Sequence, residues 1–132
     1  MHKRTITYID FDGNERKEEH YFNLTRAELI EMETSITGGM STMLQQISDK
    51  VDIPQLMKNF KTIILKSYGI KSLDGRSFKK SEEISNDFEY TGAYDVLYST
   101  LVTDAKEAVD FINAILPPRA AGAEAPALTP AT

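Results

Sequence analysis

Apolar residues after Leu24 recur at the three- and four-residue spacing of amphipathic helices, and the start of this pattern carries a helix-capping signature. The Thr25 hydroxyl can accept a hydrogen bond from the first helical turn, and the Glu28 carboxylate can accept one from the Thr25 backbone N–H. Leu24 and Leu29 occupy the positions of a hydrophobic staple across the same turn. The sequence therefore predicts a helix from here to about Thr34 and a mostly helical chain beyond it.

Residues 5–24 predict a β-hairpin. The run from Thr5 to Phe11 is rich in threonine, isoleucine and tyrosine, and a second run extends from Arg16 to Phe22. Between them, Asp12-Gly13-Asn14 supplies residues that accept the positive φ angles of a tight turn. Two strands alone are marginally stable in water, so this hairpin is expected to pack against the helices.

Two further helices are predicted in the middle of the chain. The Gly38-Gly39 pair is expected to end the first helix, and a second begins at Ser41. Proline is tolerated in the first turn of a helix, so Ile53-Pro54 predicts the start of a third, which ends at Gly69 and is the predicted central core helix. The apolar stripes of these two helices are Met40, Met43, Leu44, Ile47 and Val51, and Leu56, Met57, Phe60, Ile63, Ile64, Leu65 and Tyr68.

The last third of the chain predicts a loop over residues 71–80 and a short acidic helix capped by Ser81. Apolar residues then keep one helical spacing from Tyr94 to Leu116. Because Thr103-Asp104 can cap a new helix, this segment is compatible with one helix or with two. The predicted fold is mostly α with a small N-terminal β-hairpin, an α+β fold with about five helices around one core. Residues 1–118 are predicted to form a single domain, and residues 119–132 are predicted to be a disordered tail rich in alanine and proline.

Composition excludes several kinds of site. The 132-residue chain has no cysteine and only two histidines, His2 and His20, neither in a zinc-ligand spacing, so we expect no metal and no cofactor. The net charge of −5 argues against a nucleic-acid partner, although residues 79–110 hold three lysines and eight acidic residues and could attract a basic one. No apolar run approaches the ~18 residues of a membrane span, and we expect a cytoplasmic protein without a membrane partner.

Catalytic patterns are sparse. The glycines form no phosphate-binding motif, and no serine has a histidine in a context that would activate it. The carboxylates Glu82, Glu83 and Asp87 could form the acid/base pair of a small hydrolase. The first two, however, fall in the first turn of a helix, where the helix dipole favours negative charge. The sequence therefore predicts a protein that is not an enzyme.

Two features suggest partner binding instead. Methionines are concentrated in the first three helices, and a flexible thioether side chain suits a surface that accepts variable apolar partners. Tyr90, Tyr94 and Tyr98 lie four residues apart and would share one helical face if the helix extends through Gly92. Both groups also fit the core stripes, and the core interpretation is favoured for the methionines. The predicted partner-binding residues are Met32, Ile36, Met40, Met43, Tyr94 and Tyr98.

The order of segments resembles the tail assembly chaperones of long-tailed, non-contractile bacteriophages. No single motif is diagnostic, and the resemblance depends on many short matches in register over residues 5–116. The matching segments are Thr5-Ile6-Thr7-Tyr8 with Asp10-Phe11-Asp12-Gly13, Tyr21-Phe22-Asn23-Leu24-Thr25, Ala27-Glu28-Leu29, Glu31-Met32-Glu33, Leu65-Lys66-Ser67-Tyr68-Gly69, Asp74-Gly75-Arg76-Ser77-Phe78, Lys80-Ser81, Phe88 with Thr91 and Ala93-Tyr94, Thr103-Asp104-Ala105 and Phe111-Ile112-Asn113.

This resemblance implies a non-enzymatic protein that binds the tape-measure protein, keeps it soluble and helps tail-tube subunits polymerise around it. It implies the host cytoplasm as the place of action, absence from the mature virion, and two further partners, the tail-tube protein and a longer frameshifted form of the chain. A homo-oligomer is compatible with these expectations. The alternative is a small structural tail or connector protein of the virion, which would share the size, acidity and lack of cysteine.

Overall fold

A computed structural model of the protein describes residues 1–35, 39–49 and 53–117. The described part is an α+β fold in which six helices pack on one side of a small antiparallel sheet. The predicted tail at 119–132 and the candidate residue Ile36 lie outside the described residues. The elements in chain order are β1 (His2–Ile9), β2 (Glu15–Phe22), α1 (Arg26–Ser35), α2 (Gly39–Asp49), α3 (Ile53–Ser67), β3 (Tyr68–Lys71), β4 (Phe78–Lys79), α4 (Glu82–Glu89), α5 (Gly92–Thr103) and α6 (Ala105–Ile115).

The predicted hairpin is confirmed and begins three residues earlier than expected. β1 and β2 pair antiparallel from His2 opposite Phe22 to Ile9 opposite Glu15. Gly13 has a φ of +87° in the turn, which a residue without a side chain adopts at little cost. Because side chains alternate along a strand, one face of this hairpin carries Ile6 and Phe22 toward the helices.

The sheet has four strands rather than two, which corrects two predictions. The third helix ends at Ser67, and Tyr68 begins β3, which pairs with the end of β2. The predicted loop at 71–80 is a turn whose ends are the strands β3 and β4. Gly69 makes this pairing possible, because a Cβ there would lie 2.8 Å from the Lys79 carbonyl oxygen and 2.8 Å from the Phe78 ring.

The C-terminal apolar phase is divided between two helices, so the described residues hold six helices where about five were predicted. The Asp104 carboxylate separates α5 from α6 and accepts hydrogen bonds from the backbone N–H groups of Lys106 and Glu107 at 3.1 and 3.2 Å. A second break precedes α5, where Thr91 caps the helix. Tyr90 therefore does not share a helix with Tyr94, contrary to the condition under which three tyrosines would form one face.

The core lies between the inner face of the sheet and the helices, and its centre is an aromatic cluster around Phe22. The ring of Phe22 lies 5.3 to 6.3 Å from four other rings contributed by β1, β3, α4 and α6. Phe22 itself is fully buried. The cluster thus joins both hairpins to the C-terminal helices. The four rings belong to His2, Tyr68, Phe88 and Phe111.

The predicted capping signature is present at α1. Glu28 accepts a hydrogen bond from the Thr25 N–H at 2.9 Å, and the Glu28 N–H donates to the Thr25 hydroxyl at 3.1 Å. Lys80, beside β4, adds a hydrogen bond from its ammonium group to the Asn23 carbonyl at 2.6 Å and an ion pair with Glu28. The helix start is thereby tied to the second hairpin as well as to its own first turn.

Replacing Thr25 with alanine is expected to lower the free energy of unfolding by about 1 kcal/mol, because the Glu28 N–H loses its acceptor. Denaturant melts followed by circular dichroism measure the difference. Arg26→Ala is the control, since Arg26 is exposed in the same turn and makes no capping bond. Equal stability of the two variants would mean that the cap contributes nothing to α1.

Candidate binding groove

The structure distributes the predicted partner-binding residues unequally between core and surface. Met32, Met40 and Met43 are at most 1% exposed and belong to the hydrophobic core. Tyr94 and Tyr98 are partly buried on α5 with their rings stacked at 5.7 Å. Burial, followed by the charge of Glu89 and the neighbouring Tyr98, raises the pKa of Tyr94 to about 12. The assignment of these residues to a binding face stays a prediction.

The three carboxylates considered for a hydrolase lie on α4 but do not share a cavity. Glu82 and Glu83 are exposed in the first helical turn, next to the Ser81 cap. Asp87, one turn further along, lines an open groove that the other two do not line. The arrangement matches the role expected of negative charge at a helix N-terminus.

This groove lies between the inner face of the sheet and helix α4 and has a volume of about 250 Å³. β1 and β2 contribute Tyr8, Glu18 and His20, and β3 contributes Tyr68 and Ile70. On the opposite side, α4 and its C-terminal end supply Ile84, Asp87, Phe88 and Thr91. Four segments of the chain thus build one concave surface.

The polar wall of the groove is centred on Glu18. The Tyr8 hydroxyl donates to the Glu18 carboxylate at 2.7 Å, and the His20 Nε2 atom lies 3.8 Å from the same oxygen. Arg16 is 3.6 Å from the other carboxylate oxygen. Hydrogen bonding to Glu18, the largest cause, with burial second, raises the pKa of Tyr8, so this hydroxyl stays a donor at neutral pH.

The apolar wall is an aromatic stack. The rings of Tyr68 and Phe88 are 4.1 Å apart and nearly parallel, and His20 packs against Phe88 at 5.4 Å. The His20 side chain is only 11% exposed, and its Nδ1 atom is buried without a hydrogen-bond partner in the structure. Burial lowers the pKa of His20 below its usual 6.5, although the nearby Glu18 opposes that shift.

This burial predicts a loss of stability on mild acidification. A histidine whose pKa is lowered by folding stabilises the native state above the unfolded value of about 6.5, and this stability is lost as the pH falls below it. His2, whose pKa is lowered by burial first and then by Arg4, acts in the same direction. The melting temperature should therefore fall between about pH 7.5 and about pH 5.5.

Thermal melts of the wild type and of the His2→Gln/His20→Gln variant test this expectation, because glutamine cannot take up a proton in this range. The variant should lose less stability than the wild type over the same pH interval. An equal loss in both proteins would assign the effect to other groups.

One end of the sheet exposes large apolar side chains. Because β3 runs antiparallel to β2, the turn after β3 points toward the same end as the turn between β1 and β2. Phe11 in the first turn is 87% exposed and Leu73 in the second is fully exposed. Ile9 and Ile70 at the adjoining strand ends are also exposed. Clustered exposed apolar side chains are typical of interaction surfaces.

No sequence pattern indicates this groove, because its residues are far apart in the chain and come together only in the four-stranded sheet. One signal was available, since His20 and Glu18 alternate with exposed residues along β2 and so share a face. The contribution of β3 could not be inferred, because a strand of four residues leaves no clear alternation.

No group of three or more histidine and acidic side chains in residues 1–35, 39–49 and 53–117 is arranged to hold a metal ion. Within the same ranges, no helix has the length and apolar character needed to cross a membrane.

Comparison with known proteins identifies the family. A family model described as phage tail assembly chaperone matches residues 1–126, which is nearly the whole chain. No curated protein and no solved structure matches the sequence. The chain belongs to the phage tail assembly chaperone family.

Proposed function

From this membership we propose that the chain binds the tape-measure protein of its phage, keeps it soluble and assists the polymerisation of tail-tube subunits around it. The observation that carries the proposal is the family match over residues 1–126. The proposal places the protein in the host cytoplasm during assembly and outside the finished virion. The tail-tube protein and a longer frameshifted form of the chain are further partners in this proposal.

The structure supports a binding role through the apolar end of the sheet. An assembly chaperone must offer apolar surface to a client while it remains folded itself. Phe11 and Leu73 project from two turns whose backbones are held by hydrogen bonds, Gly13 N–H to Asp10 and Gly75 N–H to Ser72. Their exposure therefore comes from well-defined turns, and it leaves the core intact.

Co-expression with the tape-measure protein of the same phage tests the proposal. The tape-measure protein should be insoluble alone, soluble with this chain, and recovered with it on affinity purification through a tag on the chain. A tape-measure protein that stays insoluble in the presence of the folded chain would contradict the proposal. A domain of similar size and charge, expressed at the same level, controls for a general effect of expression.

Mass spectrometry of purified virions separates the proposal from a permanent structural role. A chaperone should be absent or strongly substoichiometric in mature particles. The chain at a fixed stoichiometry in every virion would favour a structural tail or connector protein.

A further inference from the structure

We propose that the groove between the sheet and α4 is the anchor pocket of this protein, and that its occupant is a client segment with a large apolar side chain next to a lysine or arginine. This inference rests on the proposed function and names the chemistry of the client. It does not use the buried methionines. It assigns the first contact to a surface that combines an aromatic wall with two carboxylates.

The groove is large enough for one large side chain of the client. About 250 Å³ is below the ~300–1,000 Å³ of sites that bind drug-sized ligands. A whole helix, with a diameter of about 10 Å, cannot enter it. One large apolar side chain can enter and lie against the Tyr68–Phe88 stack in a groove that Ile70 and Ile84 also line. Pockets that take one such anchor carry much of the binding energy of protein interfaces.

The negative charge of the groove favours a basic residue next to that apolar side chain in the client. Glu18 and Asp87 both line the groove, and their negative charges contribute, after burial, to the raised pKa of Tyr68. Arg16 lies 3.6 Å from Glu18, whereas no cation among the described residues lies within ion-pair distance of Asp87. A basic client residue beside the apolar anchor would meet Asp87 at the mouth of the groove.

The surroundings extend the same preference. Helix α4 carries four acidic residues and no basic one, and only Glu89 forms an ion pair within the described part of the chain, with Lys61 at 2.9 Å. On the sheet side, Ile70 is 52% exposed and lines the groove itself, so it offers further apolar contact. An apolar and basic segment would therefore be favoured along the length of this surface.

The experiment uses overlapping fluorescent peptides that cover the tape-measure protein of the same phage, with the full-length chain as the binding partner and polarisation as the readout. Peptides that bind should combine large apolar residues with lysine or arginine, and their binding should weaken as salt is raised. The Glu18→Gln/Asp87→Asn variant should bind these peptides about tenfold more weakly. Ile70→Ala should weaken the same binding about fivefold.

Two matched controls separate the groove from general effects. Glu82→Gln/Glu83→Gln changes the net charge by the same amount outside the groove, on the helix that carries Asp87, and Ile30→Ala removes an exposed isoleucine on α1. Ile30→Ala should bind like the wild type, Glu82→Gln/Glu83→Gln should weaken binding clearly less than Glu18→Gln/Asp87→Asn does, and circular dichroism should show all four variants folded. Equal weakening by the glutamine controls would overturn the proposal, because the effect would then be general electrostatics.

The remaining outcomes are also distinct. If the wild type binds the peptides and the groove variants bind them equally well, the groove is not the anchor pocket. The proposed function would still stand. Failure of the wild type to bind any peptide or the full-length tape-measure protein overturns the function itself.

Discussion

Changing Met40 and Met43 together to glutamate is expected to unfold the protein. Both side chains are fully buried on α2, which packs against α1, α3 and α6. A carboxylate at either position would lose its hydration without gaining a partner, and the apolar contacts of the methionine would be lost as well. The combined loss should be about 5 kcal/mol or more, comparable with the whole stability of a small domain.

Circular dichroism and thermal melts measure this result, and the chain supplies its own control. Met57→Glu makes the same chemical change on α3, where the side chain is 37% exposed and the carboxylate can reach water. That variant should remain folded. A folded Met40→Glu/Met43→Glu protein with a cooperative melt would show that the two side chains do not lie in the core.

A conservative variant tests the methionine prediction separately. Met40→Leu/Met43→Leu keeps apolar volume and should fold, since swaps of similar size usually cost less than about 1.5 kcal/mol. If client binding survives in this variant, thioether flexibility at these positions is not needed for recognition. Loss of client binding in a folded leucine variant would instead favour the predicted methionine surface.

Helices were the part of the fold that local chemistry made predictable. The reciprocal bonds of Thr25 and Glu28, the Ser81 cap and the Asp104 cap each depend on residues within three positions of one another. Such short-range patterns are visible in a sequence. The number of helices was harder to predict. The helical spacing of apolar residues continues across Asp104, whereas the helical backbone is interrupted there.

Strands β3 and β4 could not be predicted in the same way. They are four and two residues long, and their pairing depends on Gly69 admitting the Phe78 ring and the Lys79 carbonyl. The strand that pairs with β3 is the end of β2, which lies more than forty positions earlier in the chain. Because Tyr68 continues the apolar stripe of α3, the sequence pattern alone predicts that it belongs to the helix.

The groove depends on those same unpredicted strands, which explains why no sequence pattern indicated it. Without β3, Tyr68 would not stack on Phe88 and Ile70 would not line the groove. The acidic character of α4 was evident from the sequence, but its relation to Glu18 required the sheet. The charge of a helix can be read from its own residues. Which residues of the sheet lie beside that helix depends on the tertiary structure.

The ring of Phe22 holds both hairpins to the helices, and so the sheet and the groove depend on this side chain. It stands at the end of β2, opposite His2 in β1 and Tyr68 in β3. Its ring also contacts those of Phe88 and Phe111 at 5.8 and 5.3 Å. Phe88 in turn stacks on Tyr68 to form the apolar wall, so a cavity at Phe22 would lie directly behind the groove.

Phe22→Ala should therefore lower the free energy of unfolding by about 3–5 kcal/mol, because four neighbouring rings would face a cavity that only partly collapses. Tyr21→Ala is the matched control. Tyr21 is the adjacent residue in β2 but lies on the opposite face, where its ring lies 5.4 Å from the Lys71 ammonium group. Its loss should cost about 1 kcal/mol or less, and equal losses in the two denaturant melts would contradict the assignment of the inner face of the sheet to Phe22.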